Sequence, residues 1–516
     1  MNIKSLFLFI IILFSSFPIS FADDSKTLIE EQNFFVEYDL PSKNSNPFAL
    51  TTDLNGIVWF SERNTSSITS FDPTTKNFKT FKINPDTEIL EIWSITSDTD
   101  GNIWFTDATQ NKIHRIDTTD LQRSEIIQSF DVPTKDALPW DIKEDNIGNI
   151  WFTEFGSGKL GKITFYNNDK TKINTITEYK IPGNYSQPSY LDIDKQGNIW
   201  FVESGSGKIT KFDSILETFD QYTLPNPYVN GSINPIGIVI DNDGYIWYTQ
   251  FRTSLLGRLD PSSGQITEFS TGTLTAGTYQ LVKDRWGDIW TIQFRADRLI
   301  EINPTDLEIW EFTIPTQNSF AQTLTSDANG NIWFIERDSS KLGFFNMSIQ
   351  APYIANLAFT SADDALDGSE NLCGRCELDV IGNRAAINIR LSFIEEYVGN
   401  LFFISRGNMV PSGLLKDMEV KFFPETVDLD DTRTIRFRNN IFVGHVSNIQ
   451  FLPTKDLIPG TYYITVGAAT NDLSYYAGKI IELRVEPLPS PVPSFIMLIF
   501  GLFICFSFLN DKPKNK

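Results

Sequence analysis

The sequence predicts an all-β protein in which a seven-bladed β-propeller at residues 33–349 is followed by an Ig-like β-sandwich at residues 350–486. The first observation is the pattern Asp-x-x-Gly-x-(Ile/Val)-Trp, which occurs seven times with its Trp residues 43 to 49 positions apart. The second is the strand-forming composition of each copy, because a period of about 40–50 residues with strand content is typical of propeller blades. The third is a change of pattern after Asn346, where segments such as 386–391 and 462–466 alternate between apolar and polar residues.

Each repeat predicts a blade of four strands. The Asp opens a turn by bonding its own backbone, and the Gly permits a positive φ. The Trp strand that follows is rich in β-forming residues, and its Trp is expected to fill the space between blades. A short strand precedes the Asp, and two more follow the Trp strand. The copies are Asp53/Gly56/Trp59, Asp98/Gly101/Trp104, Asp145/Gly148/Trp151, Asp194/Gly197/Trp200, Asp241/Gly244/Trp247, Asp284/Gly287/Trp290 and Asp327/Gly330/Trp333.

The ring of blades is expected to close through the N-terminal part of the chain. The seventh repeat ends at Asn346 without a fourth strand, whereas a strand-forming stretch at 35–41 precedes the first repeat. We expect this stretch to complete the last blade, which removes an exposed sheet edge. The six recognisable fourth strands are 78–83, 129–133, 178–182, 219–225, 267–271 and 310–315.

Both ends of the chain predict an exported protein that is held at the cell surface. Residues 1–22 have one Lys, an apolar run and a small-x-small cleavage site, which is the layout of a signal peptide. A Pro-rich spacer at 487–494 leads to an apolar segment at 495–509 and a basic tail at 510–516. The apolar segment is interpreted as a transmembrane or sorting segment, with the tail lysines on the inner side of the membrane.

The composition excludes several classes of function. The 516 residues include 43 Lys and Arg against 65 Asp and Glu, a formal charge of −22, so nucleic acid is not expected as a partner. Two His and three Cys exclude His-rich metal centres and disulfide scaffolds. Cys373 and Cys376 form a CxxC, and outside the cell a local disulfide between them is favoured. The acidic stretch 363–370 predicts either a Ca²⁺ site or a solvated loop.

The repeats resemble the virginiamycin B lyase, or streptogramin lyase, family. The resemblance rests on GNIWFTD (101–107), GNIWFTE (148–154), GNIWFVE (197–203) and LLGRLDP (255–261), and it covers residues 33–346. It implies a seven-bladed propeller and a Mg²⁺-dependent elimination that opens a cyclic antibiotic.

The resemblance also implies a catalytic Glu-x-His motif just after the Trp strand in two late blades. In this sequence those positions read Gln250-x-Arg252 and Gln293-x-Arg295. An Arg stays protonated and does not act as a general base, and Gln is a poor replacement for an anionic Mg²⁺ ligand. The catalytic residues of this chain are therefore left unknown by the resemblance.

The Trp strand ends in a carboxylate in five of the seven repeats. Equivalent positions in a propeller meet at one end of its channel, so these side chains predict a ring that binds a cation such as Mg²⁺ or Ca²⁺. The alternative is that a residue repeated in most blades serves the hydrogen bonding of its own blade. The five residues are Glu62, Asp107, Glu154, Glu203 and Glu336.

Aromatic residues near the start of the innermost strands predict a ligand site at one end of the channel. Trp93, Trp140, Tyr190 and Tyr279 suit a sugar ring or an apolar ligand. The alternative is that these rings pack between blades.

Arginines near the same positions predict an anion-binding patch. Arg252 and Arg295 follow the Trp strands of two adjacent blades, and Arg63 and Arg337 hold nearby positions in neighbouring blades. The alternative is a set of solvated charges at the rim.

Together these features predict a surface-anchored module that binds an extracellular ligand or protein of unknown identity. The alternatives are a metal-dependent lyase like the family it resembles, or a lactone hydrolase, which also uses a propeller and a central divalent ion. Propellers host both binding and catalysis, so the fold does not decide. The two histidines, His114 and His445, are expected to be structural or exposed.

Overall fold

The computed structural model describes residues 35–83, 90–119, 127–225, 234–270, 276–305 and 307–347, and the backbone strands between 356 and 485. The first 347 residues contain seven antiparallel four-stranded units, each with its strands in sequential order apart from the last. The predicted seven-bladed propeller is therefore confirmed.

The strand bounds follow the repeat. The closing strand and blades one to three are β1 (Phe35–Asp39), β2 (Pro47–Thr52), β3 (Val58–Glu62), β4 (Ser67–Asp72), β5 (Asn77–Lys82), β6 (Ile95–Ser97), β7 (Ile103–Asp107), β8 (Lys112–Ile116), β9 (Ile127–Asp131), β10 (Pro139–Glu144), β11 (Ile150–Glu154), β12 (Lys159–Phe165) and β13 (Ile173–Lys180). Blades four to seven are β14 (Pro188–Ile193), β15 (Ile199–Glu203), β16 (Lys208–Asp213), β17 (Thr218–Thr223), β18 (Pro235–Ile240), β19 (Ile246–Gln250), β20 (Leu255–Leu259), β21 (Ile266–Ser270), β22 (Thr278–Lys283), β23 (Ile289–Gln293), β24 (Arg298–Ile302), β25 (Glu308–Thr313), β26 (Ala321–Ser326), β27 (Ile332–Glu336) and β28 (Lys341–Phe345). Short 3-10 helices lie at Arg63–Thr65 and Tyr166–Asn168.

The Asp of each repeat ties the turn between the two inner strands to the Trp of the second strand. One oxygen of Asp145 accepts the backbone N–H groups of Ile147 and Asn149 at 3.0 and 2.9 Å. Its other oxygen accepts the Nε1 hydrogen of Trp151 at 2.8 Å. All seven copies repeat the Trp–Asp bond, at 2.8–3.2 Å, and all seven Trp side chains are buried. The Asp predicted to form the turn thus also supplies the acceptor that an interior indole requires.

Hydroxyl groups of the Trp strands join neighbouring blades. In six blades the innermost strand is irregular near its start, and this frees a backbone N–H from the ladder. In the third blade Thr153 Oγ1 accepts the N–H of Asp141 at 3.0 Å and donates to the carbonyl oxygen of Ser189 in the next blade at 2.7 Å. Thr106 joins the second and third blades through Trp140 in the same manner.

The N-terminal strand closes the ring, as predicted. β1 pairs antiparallel with β28, which gives the last sheet the order β1-β28-β27-β26. The ring of Tyr38 lies 4.7 Å from that of Phe71 in the first blade and 6.2 Å from that of Trp333 in the last. Glu37 accepts a hydrogen bond from Lys341 Nζ at 2.7 Å. The seam is therefore held by backbone pairing, ring packing and an ion pair.

In the C-terminal region the described residues form ten strands in two sheets, and one of these sheets continues the sixth blade. β38 lies antiparallel to β25, with Ile309 opposite Gly478, so the propeller and the C-terminal region are joined by main-chain pairing. The second sheet has the order β29-β31-β36-β33, with β35 paired to β36. The Ig-like assignment stays a prediction. The strands are β29 (Asn356–Ser361), β30 (Glu377–Val380), β31 (Ala385–Ser392), β32 (Asn400–Gly407), β33 (Met418–Phe423), β34 (Thr426–Asp428), β35 (Thr434–Phe437), β36 (Asn440–Pro453), β37 (Gly460–Thr470) and β38 (Tyr475–Val485).

Several sequence predictions fall outside the described residues. They are the signal peptide at 1–22, the acidic stretch at 363–370, Cys373 and Cys376, the spacer at 487–494, the apolar segment at 495–509 and the tail at 510–516. Within the part of the chain that the structure describes, no helix has the length and apolar character needed to span a membrane.

Candidate functional site

Three aromatic rings meet across the channel at one end of the propeller. Phe48, Tyr190 and Tyr279 come from the innermost strands of blades one, four and six, which are not neighbours in the ring. Their rings nevertheless pack edge to face, with the Tyr279 centroid 6.3 Å from that of Phe48 and 6.2 Å from that of Tyr190. All three are buried, and burial raises the pKa of both tyrosines. We call these three residues the aromatic floor.

The channel mouth is the surface above this floor, where the loops that follow the second strands converge. Its aromatic wall comes from blades two and three. Trp140 stacks on Phe155 with centroids 4.8 Å apart, while Trp93 contacts Trp140 and lies 6.2 Å from Phe155. The Nε1 hydrogens of both indoles are buried without an acceptor. Such donors are unfavourable until a ligand or water completes the bond.

Blades six, seven and one give the channel mouth a cationic wall. Each of its three guanidinium groups lies 5.1–5.4 Å from the centroid of an aromatic ring, a favourable cation–π arrangement. The pairs are Arg63 over Phe48, Arg295 over Phe251 and Arg337 over Phe294.

Two arginines of the cationic wall influence each other. Arg63 forms an ion pair with Glu91. Arg337 donates through Nε to Asp338 at 2.8 Å and through Nη1 to Gln322 at 3.2 Å. Burial lowers the pKa of Arg63, and the positive charge of Arg337 lowers it further. Like charges are therefore held close together, and an anion bound between them would relieve the repulsion.

The structure brings the predicted ligand-binding residues to the same end of the channel. Tyr190 and Tyr279 belong to the aromatic floor. Both side chains are buried, so a ligand has little direct access to them. The other four predicted residues are Trp93 and Trp140 in the aromatic wall, Arg295 in the cationic wall and Arg252, which is exposed directly after Phe251.

The five carboxylates predicted as a metal ring do not come together. Each is buried in its own blade and accepts a hydrogen bond from a residue of that blade, which favours the alternative of internal hydrogen bonding. None of them belongs to a group of three or more potential metal ligands that converge within the described residues. The donors are Thr69 for Glu62, the Gln110 N–H for Asp107, Ser157 for Glu154, Ser206 for Glu203 and Ser339 for Glu336.

Within the described residues, the one group that does converge is Asp284, Asp288 and Glu301 in the sixth blade, at the opposite end of the propeller from the channel mouth. Asp284 already accepts three backbone N–H groups of its turn and the Trp290 indole. Burial raises the pKa of Glu301 well above its ordinary value, and the charges of Asp288 and Asp284 add to this. Both oxygens of Asp284 are therefore already occupied by hydrogen bonds within the blade.

The glutamines at the family's catalytic positions are also internal to their blades. Gln250 and Gln293 are fully buried. Gln250 donates to Glu268 and accepts from Thr253 Oγ1 at 2.7 Å. The residues that follow them lie at the channel mouth instead, where Arg295 of the second motif lies over Phe251 of the first.

Buried glutamates in other blades have strongly raised pKa values. Burial raises the pKa of Glu154 to about 7, and the neighbouring Glu178, itself bonded to Lys159 at 2.7 Å, contributes. The equivalent Glu336 of the seventh blade also has a pKa of about 7, chiefly because of burial. Gln250 holds the position of Glu154 in the fifth blade and is a neutral hydrogen-bond donor. A protonated Glu154 is also a neutral donor, so the two side chains are chemically equivalent there.

Raising the pH from 5 to 8 is expected to destabilise the propeller through Glu154 and Glu336. Their folded pKa values of about 7 lie above the ordinary 4.5, so the stability they contribute is present below pH 4.5 and is lost as the pH rises through about 7. Each group accounts for on the order of 3 kcal/mol. Urea unfolding at both pH values should show a smaller decline in the double variant Glu154→Gln/Glu336→Gln. Asp243→Asn, at an exposed position, is the control, and an unchanged decline in the double variant would contradict the assignment.

His114 has the contacts of a structural residue of the second blade, as predicted. Its Nδ1 lies 2.8 Å from Ser129 Oγ and its Nε2 lies 3.4 Å from Asp107 Oδ2. Its ring stacks on Phe105 with centroids 4.8 Å apart. It does not reach the channel mouth.

Sequence reasoning missed a polar cluster on the far side of the aromatic floor. Lys143 Nζ donates to Asp192 at 2.7 Å, and Asp141 accepts the backbone N–H of Leu191 at 2.8 Å. These residues line a cavity of about 380 Å³ in the channel. The sequence feature that could have indicated this cluster is the pair of charged residues at 141 and 143, which lie on one face of an innermost strand. Both residues form hydrogen bonds to the next blade, so their role is to hold the channel wall together.

The comparisons with known proteins agree with this architecture. A family model described as the virginiamycin B lyase family matches residues 23–244 and 175–351. A solved structure described as streptogramin B lyase has 26% identity and a TM-score of 0.53, and the match covers 60% of this chain and 97% of that one. Virginiamycin B lyase from Staphylococcus aureus has 25% identity and a TM-score of 0.52, with 60% and 98% covered.

A further structure shows a catalytically inactive histidine-to-alanine variant of the Staphylococcus aureus enzyme with quinupristin. It has 24% identity and a TM-score of 0.53, with 60% and 98% covered, and therefore supports the fold. The search of curated proteins gives no significant match. Because the family match extends over more than half of its residues, this chain belongs to the virginiamycin B lyase family.

Proposed function

We propose that the chain is a binding module held at the cell surface and that the channel mouth receives its ligand. The observation that carries the proposal is the pairing of an aromatic wall with a cationic wall above the aromatic floor. Concave sites that combine aromatic side chains with a few fixed polar groups are typical of ligand recognition. Location at the cell surface is supported by the signal-peptide pattern at 1–22 and the apolar segment at 495–509.

Lyase activity is the second candidate, because it is the activity for which the family is named. In the Staphylococcus aureus enzyme, replacement of one histidine by alanine gives a catalytically inactive protein. This chain has two histidines, of which His114 is buried in the second blade and His445 lies in β36. Arg252 and Arg295, at the positions where the resemblance implies histidine, remain protonated and do not accept a proton. Binding without turnover is therefore the function that these residues support best.

Neutral aromatic probes test the binding function of the channel mouth. The full-length chain is expected to bind indole and 2-naphthamide by ligand-observed NMR. Trp140→Ala should weaken this binding about tenfold, because it removes one face of the aromatic wall. The matched control is Trp286→Ala, since Trp286 is 52% exposed at the opposite end of the propeller.

Two outcomes would contradict the binding proposal. One is an absence of binding, or an equal loss of binding in both Trp variants. The other is opening of quinupristin by the full-length chain in the presence of Mg²⁺, abolished by a chelator, which would favour the lyase.

A further inference from the structure

We infer that the channel mouth selects organic oxyanions, with a carboxylate or phosphate group held by Arg63 and Arg337 and an aromatic body on Trp93 and Trp140. The inference rests on the proposed function, because it names the chemistry of the ligand at the same site. Four observations on the described residues support it.

The first is the repeated placement of arginine at the end of the Trp strand. Arg63 follows Glu62 at the end of β3, and Arg337 follows Glu336 at the end of β27, so the two arginines occupy equivalent places in blades that adjoin at the seam. Both glutamates are fully buried inside their blades and do not meet the arginines. Arg295 of the sixth blade adds a third guanidinium to the same wall. Three guanidinium groups thus lie together in a chain of net charge −22, two of them paired with the carboxylates of Glu91 and Asp338.

The second observation is the orientation of these guanidinium groups. Arg337 lies 5.1 Å over Phe294 and 5.8 Å over Phe320, and Arg63 lies 5.4 Å over Phe48. Stacking on rings fixes one face of a guanidinium and directs its in-plane N–H groups at acceptors, which is the geometry that binds carboxylates and phosphates. Some of these groups already bind Asp338, Gln322 and Glu91, so a ligand uses the remaining ones or displaces a side-chain acceptor.

The third observation is a cluster of buried nitrogen donors without acceptors, beside two oxygens, Glu91 Oε2 and Tyr190 Oη, that also lack a hydrogen-bond partner. Among the described residues, four side-chain nitrogen atoms are buried without a hydrogen-bond partner, and three of them are at the channel mouth. They are the Nε of Arg63 and the Nε1 of Trp93 and Trp140. Because all three are donors, a ligand rich in acceptor oxygens complements them, whereas a purely apolar ligand does not.

The fourth observation is an internal carboxylate that already pairs with the cationic wall. Glu91 forms an ion pair with Arg63, and its side chain is 35% exposed. Its backbone is fixed, because its carbonyl accepts the N–H of Ala108 at 3.0 Å and its N–H donates to Thr109 Oγ1 at 2.9 Å. Glu91 thus marks where an oxyanion fits, and an incoming anion competes with it.

Three probes of the same shape separate the contribution of the charge from that of the ring. They are 2-naphthoate, 2-naphthyl phosphate and the neutral 2-naphthamide. In calorimetric titrations of the full-length chain at low salt, at least one anion is expected to bind about tenfold more tightly than the amide, the gain expected from a charge-assisted hydrogen bond. The two anions distinguish a carboxylate from a phosphate ligand, and the preference should decrease as salt is added.

Variants test whether this preference for anions comes from the cationic wall. Arg63→Gln and Arg337→Gln are each expected to reduce the preference, which is the ratio of anion to amide affinity, at least about fivefold. Glu91→Gln should strengthen binding of the anions by removing their competitor. Arg285→Gln, whose guanidinium lies over Trp286 at the opposite end of the propeller, is the matched control and should keep the preference. Melting temperatures identify any variant that fails to fold. If Arg63→Gln fails to fold, the result for Arg337→Gln decides the test, because Arg337 is the more exposed of the two.

The outcomes separate this inference from the function on which it rests. Equal affinity of the wild-type chain for all three probes would overturn the inference and leave the binding function standing. A preference for anions that persists in the Arg337→Gln variant would also overturn it. If none of the probes binds, the proposed function fails, and the inference fails with it.

Discussion

Removal of residues 33–41 from the full-length chain is expected to abolish cooperative folding of the propeller. β1 contributes five residue pairs to the edge of β28, and it is the fourth strand of the last blade. Without it the rings of Phe71 and Trp333 lose their contact with Tyr38, and Phe345 loses Phe35, 5.0 Å away. The combined loss of burial and backbone pairing is on the order of 5 kcal/mol or more, comparable with the whole stability of an ordinary domain.

Thermal and urea unfolding followed by circular dichroism measure this effect. A peptide of residues 33–41 added in trans should restore part of the transition, which would show that the strand itself is required. Val36→Ala is the control, because Val36 is 38% exposed and its loss is expected to cost less than about 1 kcal/mol. Melting of the deletion variant at the wild-type temperature would contradict the closure through β1.

The closure of the ring by the N-terminal strand could be predicted because it follows from the number of strands in the repeats. Six fourth strands, seven Trp strands and one unassigned strand before the first repeat leave a single arrangement for a closed ring. The turn of each repeat could also be predicted, because its Asp and Gly lie within four residues of each other. The hydrogen bond from Trp Nε1 to that Asp was not predicted. It also lies within six residues, but only the packed turn shows that the second oxygen faces the indole.

The orientation of the strand-end carboxylates could not be predicted. In a propeller both faces of every blade pack against other blades, so the alternation of apolar and polar residues does not distinguish the channel from the interior of a blade. Glu154 and Glu203 therefore looked like channel residues, although serines three residues further on hold them inside their sheets.

The channel mouth was predicted in part. The rings of Trp93 and Trp140 stood out in the sequence because they lie near the predicted starts of innermost strands. The aromatic floor depends instead on contacts between non-adjacent blades, as between Tyr190 and Tyr279, which no local pattern encodes. The pairing of Arg63 with Glu91 was missed because it joins two neighbouring blades through side chains that lie outside the repeated motif.

Lys170→Met is expected to destabilise the propeller strongly, because Lys170 joins two blades from a buried position. Its ammonium group lies 3.3 Å from Asp98 and 3.2 Å from Asp100, both in the second blade, and it donates to Glu144 in the third. Lys170 itself is 5% exposed. Burial alone would lower the pKa of Lys170, but the hydrogen bond to Glu144 and the charges of Asp98 and Glu144 outweigh it and raise the pKa. Lys170 is therefore charged, and it neutralises the buried carboxylates of Asp98 and Glu144 as well as the exposed one of Asp100.

The variant Lys170→Met keeps most of the side-chain volume but leaves Asp98 and Glu144 buried without their cation. Removing one partner of a buried ion pair costs about 3–5 kcal/mol, and the hydrogen bonds that remain to Asp98 place the expected loss at the lower end of this range. The matched control is Lys172→Met, two residues away, whose side chain is 70% exposed and pairs only with Asp169 at the surface; its expected loss is below about 1 kcal/mol. Adding Glu144→Gln to Lys170→Met should recover part of the stability, because it removes one of the uncompensated charges. Equal urea midpoints for the two Met variants would mean that the blades are held together by the Thr hydroxyl bridges and the strand ladders alone.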